Sequence, residues 1–168
     1  AIVGRGWGQG PQHSQSLQSW FAHIPGLKVI MPVTPFDAKG LMIAAIEDNN
    51  PVISLEHRWL YPTYGEVPDG IYRVPIGKSR LVKEGTDITI AATSYMVLEA
   101  MKCAQILKQY GINMEIIDVR TLRPLDRDML HESVTKTGRF IAADTGWSIG
   151  GFSSELISSV TETVFDQL

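Results

Sequence analysis

His13 stands in the run Gln12-His13-Ser14-Gln15, between a glycine-dense stretch and a helical pattern. An imidazole changes charge near neutral pH and moves protons either way; the neighbouring amides and hydroxyl could orient the ring or a bound anion. An ordinary surface histidine is the alternative. The other histidines have weaker cases. His23 closes a short helix before Pro25, where a cation suits the carboxyl end; His57 follows a strand beside Glu56 and Arg58; His131 reads as a solvated helix position. Arg120 and Arg123 bracket Thr121-Leu122 where a strand pattern ends, either to hold a phosphate or carboxylate or, the favoured reading, to bridge an interface. Asp144 and Trp147 close the next strand pattern and face the same crevice. The Gly150-Gly151 exit into a helix can hold an anion on backbone N–H groups or simply turn the chain.

The segment Ala45-Ile46-Glu47-Asp48-Asn49-Asn50 ends a helical pattern just before Pro51. A helix end frees carbonyl oxygens, and Asp48 and Asn50 add more, so a hard cation and a plain capped exit are both open. No phosphate-binding loop with Lys-Ser or Lys-Thr occurs. The stretch GRGWGQG (residues 4–10) lacks the complete strand a dinucleotide fingerprint needs before it; it reads as a loop or as the wall of a ligand site. Cys103 stands alone as a small core residue, so a disulfide framework is excluded and a reducing compartment is expected.

Elements that alternate strand and helix must position these residues. A short helix is expected over 14–23 and a buried strand over 27–33. Thr34 should cap a helix with Pro35 in its first turn and Ala38, Leu41, Met42, Ala45 and Ile46 inward, followed by a strand over 52–56. Residues 58–83 interleave prolines and glycines with aromatics and read as a crossing segment. Three strand–helix units follow: strands near 87–93, 114–121 and 139–145, with helices near 95–110, 125–137 and from Gly151 onward. That order predicts an α/β fold with a largely parallel sheet covered on both faces.

With 44% apolar and 20% charged residues in 168, the chain can build a real core. Its net charge of -3 offers no electrostatic reason to bind nucleic acid, and no apolar run approaches the length of a membrane span. A cleavable leader is not expected at this N-terminus, and the abrupt glycine-rich start reads as though an upstream part were missing.

Taken in order, QHSQSLQSWFAHIPGLKVIMPVTPFDAKGLMIAAIEDNNPVISLEHRWLY, GEVP, EGTDITI, IDVRTLRPLD, KTGR and GGFSSEL resemble the β subunit of the thiamine-diphosphate-dependent E1 component of 2-oxo acid dehydrogenase complexes. That group covers pyruvate, branched-chain 2-oxo acid and acetoin types. The resemblance implies three parts: residues 1–75 as the C-terminal half of a pyrimidine-binding domain, 76–85 as a linker, and 86–168 as a transketolase C-terminal-type domain truncated at its end. The cofactor-activating glutamate of the family would lie upstream. His13 matches the family's active-site histidine. Ala45, through its carbonyl, with Asp48 and Asn50 match its structural potassium site.

The implied reaction is oxidative decarboxylation of a 2-oxo acid with reductive acylation of a lipoyl-bearing E2 acyltransferase. It would run on thiamine diphosphate with Mg²⁺, held mainly by the E1 α subunit, in an α2β2 assembly with a second β subunit. The setting would be cytoplasmic in a bacterium and the mitochondrial matrix or plastid in a eukaryote. Two other readings stand beside it: another transketolase-like enzyme acting on phosphorylated sugars, and a non-catalytic E1-like assembly subunit. Thr145 departs from the family, which often carries an acid there, and the glycine-rich loop is denser than in the pyruvate enzymes.

Overall fold

The computed structural model describes residues 1–4 and 9–168. In the first half, strand β1 (Ile2–Val3) leads to a 3-10 turn at Pro11–His13 and helix α1 (Gln18–His23). Strand β2 (Lys28–Ile30), helix α2 (Pro35–Glu47), strand β3 (Val52–Ser54) and strand β4 (Glu56–His57) follow. The expected helix over 14–23 is thus shortened to its last turns. Pro11 locks a tight turn, with Gly10 before it at φ 68°, and helix begins only where Phe21 and Ala22 can reach the core, while Trp20 stays exposed. Helix α2 starts as expected: Thr34 accepts the Asp37 N–H at 3.1 Å, with Pro35 in the first turn.

Its buried face differs from the expected one. Asp37, Gly40 and Leu41 point inward, whereas Ala38, Met42 and Ile46 are exposed. Gly40 decides this orientation. A Cβ there would lie 2.5 Å from Val74 and 2.8 Å from Tyr72, so the bare backbone lets the 72–74 segment close against the helix. The Val74 N–H donates to the Gly40 carbonyl at 3.1 Å.

The second half carries strand β5 (Arg80–Lys83), strand β6 (Ile88–Ala92), helix α3 (Met96–Lys108) and strand β7 (Met114–Asp118). Strand β8 (Thr121–Arg123), helix α4 (Arg127–Thr137), strand β9 (Phe140–Ala143) and helix α5 (Phe152–Val164) complete it. The main sheet has the order β5-β7-β6-β9; β6 runs parallel to both β7 and β9, and β5 is an antiparallel edge. The chain passes from β6 through α3 to β7 on one side, then through α4 to β9 on the other. The strand order therefore reverses at the carboxyl ends of β6 and β9, where doubly wound folds place ligands. The expected α/β architecture is present.

Alternation assigns the faces. Ile90, Ala92, Met114 and Ile116 pack with Val97, Ala100 and Ala104 of α3. Ala91 and Ile117 turn the other way, toward Leu130 and Val134 of α4 and Leu156 and Val160 of α5. The expected strand over 114–121 breaks after Asp118, because Thr121–Arg123 leaves the main sheet to pair antiparallel with β2. The same cluster also takes in Val29, Met31 and Leu55, so the two halves share one core. Cys103, expected inside, is exposed on α3.

Candidate functional site

His13 ends the 3-10 turn and is exposed. The turn is steadied by Gln15, whose side-chain amide donates to the Pro11 carbonyl at 2.9 Å. The Gln15 carbonyl in turn accepts the Gly4 N–H at 2.9 Å, tying the segment after His13 to the end of β1. His13 is thereby offered to solvent from a braced turn. The glycine-dense stretch read as a ligand wall falls mainly on residues 5–8, which lie outside the described residues.

Next to this turn lies a cleft of about 480 Å³, lined by Ser14, Ser16, His57, Trp59, Tyr95, Met96, Glu99 and Thr145. His57 is buried and stacks on Tyr95 with centroids 5.2 Å apart; its Nδ1 accepts the Trp59 N–H at 3.2 Å. Burial holds its imidazole below the ordinary histidine range. Gly4 is what lets the ring sit there, since a Cβ on Gly4 would fall 2.2 Å from His57 Nε2. The sequence points to Glu56 or Arg58 as partners of His57 and does not show this burial. The ring faces inward because β4 pairs with β1 rather than extending β3. Tyr95 is a second residue the sequence does not mark; the Glu99 carboxylate, accepting its hydroxyl, pushes the phenol upward.

Asp144 closes the bottom of this region. Its Oδ1 accepts from Gln18 Nε2 at 2.6 Å, from Thr93 Oγ1 at 2.7 Å and from the Thr145 N–H at 2.9 Å. Asp144 therefore holds the ends of β6 and β9 against α1. Trp147 stays exposed.

Asp48 occupies the exit of α2. Lys28 Nζ meets its Oδ2 at 2.5 Å, and Oδ1 accepts the backbone and side-chain N–H groups of Asn50 at 2.9 and 3.1 Å. The Lys28 ammonium, with the Asn50 donors, holds this carboxyl down to about 2. The carboxylate is already engaged, so a cation near Ala45, Asp48 and Asn50 would rely on the carbonyl oxygens that the last helical turn leaves unpaired. Among the described residues no group of three or more His, Cys, Asp or Glu side chains is placed to hold a metal ion.

The arginines go to structural partners. Arg120 donates to Asp37 Oδ1 at 2.6 Å and to the Lys78 carbonyl at 2.9 Å; Arg123 donates to the Ala22 carbonyl at 2.8 Å. Arg123 and Gly150-Gly151 do border a larger cleft of about 760 Å³ with His23 and Arg127, but Arg127 is paired to Glu155 at 2.5 Å. His131, read as solvated, meets Ser159 Oγ at 2.9 Å across the α4–α5 contact.

Residues 77–168 match the family model of the transketolase C-terminal domain, and residues 4–63 that of the transketolase pyrimidine binding domain. The chain is 45% identical over 168 residues to the acetoin:2,6-dichlorophenolindophenol oxidoreductase subunit beta of Cupriavidus necator, covering 100% of this chain and 50% of that one. It is 44% identical over 165 residues to the mitochondrial pyruvate dehydrogenase E1 component subunit beta-1 of Oryza sativa subsp. japonica, covering 96% and 44%. A solved structure described as a split gene transketolase, inactive beta4 tetramer, superposes with a TM-score of 0.79 at 27% identity, over 90% of this chain and 50% of that one. The chain thus spans about half the length of the curated relatives it matches. No helix among the described residues is long and apolar enough to cross a membrane.

Proposed function

The chain belongs to the transketolase family, whose pyrimidine-binding and C-terminal domain models it matches in that order, and from that premise we propose that it forms the β-subunit part of a 2-oxo acid dehydrogenase E1. In this reading the assembly oxidatively decarboxylates a 2-oxo acid and acylates the lipoyl group of an E2 partner. One observation carries the reading: this chain aligns over its whole length with the acetoin oxidoreductase β subunit, and over nearly all of it with a pyruvate dehydrogenase E1 β subunit. In this reading residues 1–75 form the pyrimidine-binding part and 86–168 the C-terminal type of domain, with 76–85 linking them and carrying the edge strand β5.

Thiamine diphosphate, when bound, supplies a thiazolium that stabilises the carbanion left by loss of carbon dioxide. This chain's contribution to that chemistry is His13, exposed on its braced turn, which delivers or accepts a proton at an imidazole nitrogen and contacts the substrate or the lipoyl arm. In this reading magnesium and the diphosphate are held mainly by the α subunit. Potassium at Ala45, Asp48 and Asn50 would brace the α2–β3 junction through carbonyl oxygens, with Lys28 already neutralising the carboxylate. A second β subunit completes the assembly, either in a bacterial cytoplasm or in a mitochondrial matrix or plastid.

The test is reconstitution with an α partner, thiamine diphosphate, Mg²⁺, a lipoyl domain and a panel of 2-oxo acids. Lipoyl acylation with one member of the panel is the expected result. Turnover only with phosphorylated sugars, independent of the lipoyl domain, would instead support the transketolase-like alternative favoured by the split gene neighbour.

A further inference from the structure

Where the strand order reverses, at the carboxyl ends of β6 and β9, four buried side-chain oxygens have no hydrogen-bond partner among the described residues: Asp144 Oδ2, Gln18 Oε1, Ser94 Oγ and Thr145 Oγ1. Strand register brings them into one neighbourhood. The Thr93 N–H donates to the Ala143 carbonyl at 3.0 Å, so Ser94 and Thr145 each lie two residues beyond the paired strand ends Ala92 and Ala143, and Gln18 reaches in from α1 to Asp144. Buried polar atoms are almost always satisfied, so four together mark a missing partner. The carboxylate and amide oxygens can only accept, and the hydroxyls can turn lone pairs inward; a missing anion is thereby disfavoured and a donor or cation required.

The charge count specifies the partner further. Glu99, the other acid beside the cleft, is paired with Lys102 at 2.8 Å. Asp144 has no ion-pair partner among the described residues, which leaves one negative charge uncompensated. Access is provided by the cleft above, where Thr145 is part of the wall. Gly146 keeps the free oxygen clear, since a Cβ there would lie 2.9 Å from Asp144 Oδ2 and 3.1 Å from Gln18 Nε2.

We propose that this strand-end crevice binds a small monovalent cation, with Asp144 supplying the charge and Gln18, Ser94 and Thr145 supplying neutral oxygens. Oxygen donors of this kind suit a hard inorganic ion, and a protonated small amine shares the same charge and donor chemistry.

The experiment measures the melting temperature of the protein against increasing KCl, NaCl or methylammonium chloride, with N-methylglucamine chloride holding ionic strength constant. The proposal expects a saturable rise with at least one of the three, and an apparent affinity weaker by at least about tenfold in Asp144→Asn, on the scale of losing a charged hydrogen-bond acceptor. Gly146→Ala retains the charge but fills the space, and should lose the response too; it also serves if Asp144→Asn fails to fold. A potassium preference identifies an inorganic ion, and a methylammonium preference an organic one. The proposal is overturned by no response to any cation, which would leave ordered water as the partner. It is equally overturned by a response unchanged in both variants, which would place the ion elsewhere, such as the α2 exit.

Discussion

The Arg120 guanidinium donates to the buried Asp37 carboxylate at 2.6 Å, joining the segment after β7 to the first turn of α2, 83 positions away in sequence. Around that contact Thr34 Oγ1 donates to Asp37 Oδ2 at 2.7 Å, and Arg80 lies 3.7 Å from Asp37 and 3.3 Å from Asp118. The same Asp37 therefore shapes a helix start and anchors the other half of the molecule. The apolar core already crosses between the halves; the ion pairs fix how they are oriented.

Removing one partner of this pair should be costly. Arg120→Ala leaves the buried Asp37 with the Thr34 hydroxyl and, as its cation, only the longer Arg80 contact, and breaking a buried ion pair costs about 3–5 kcal/mol. Urea unfolding should show that loss. Arg120→Ala combined with Asp37→Leu should recover part of it, because no orphan charge remains. A double variant as unstable as the sum of the singles would show that the pair does not act as a unit.

Asp118 gives the stability an unusual pH dependence. Burial pushes its carboxyl up to about 7, with Arg80 pulling the other way, Asp37 pushing further up and Arg120 pulling down. The folded state thus keeps a proton that the unfolded chain releases near 3.8. The contribution is fully present below that value and is lost as pH rises through about 7. Asp48, held down to about 2, has the opposite sign: its contribution is present above 3.8 and lost as pH falls through 2. Unfolding free energies measured from pH 4 to 8 should therefore decline less in Asp118→Asn than in the unsubstituted protein. Identical slopes would mean that Asp118 is ionised throughout.

Strand and helix periods and the Thr34 cap were legible in the sequence because each depends on local residues. Features that depend on distant partners were not. Nothing local to Asp37 announces a buried charge, since its partner stands after β7. Helix α2 is apolar nearly all round, so its pattern could not tell Leu41 from Met42 or Ile46. The chain breaks after Asp118 because Thr121–Arg123 joins a different sheet, an arrangement invisible in a run that reads as one strand. The exposed, loop-borne position of His13 could be read from its polar surroundings, whereas the buried place of His57 depends on Gly4, more than fifty residues earlier.

Gly40 tests the orientation of α2 without touching any charge. Its backbone is ordinary helix, so Gly40→Ala should gain helix propensity if nothing opposed it. The added methyl instead meets Val74 and Tyr72, and overpacking of this kind costs about 1–3 kcal/mol. Thermal unfolding should register a net loss. A gain would mean that the 72–74 segment moves aside at little cost.

Lys28 sits where a monovalent ion at the α2 exit would have to share the Asp48 carboxylate. If Ala45, Asp48 and Asn50 hold potassium, Lys28→Gln frees that carboxylate and should make the potassium-dependent rise in melting temperature larger. The gain should persist in an Asp144→Asn background, which separates this site from the crevice at β6 and β9. A variant insensitive to potassium in both backgrounds would remove the α2 exit as a cation site.

His13 is exposed, ends a turn held by Gln15, and makes no side-chain hydrogen bond or ion pair among the described residues. Its replacement therefore separates catalysis from folding. In the reconstituted α/β assembly, His13→Ala should leave the melting temperature and subunit association near their starting values. Lipoyl-coupled turnover should fall by about 10²–10⁴-fold, the usual range for a positioned proton-transfer group. Single-turnover decarboxylation and lipoyl acylation, measured separately, locate the step: a loss confined to acylation assigns His13 to the lipoyl arm, and a loss in both assigns it to the earlier proton transfer. Undiminished rates in both steps, with the assembly intact, would remove His13 from the chemistry.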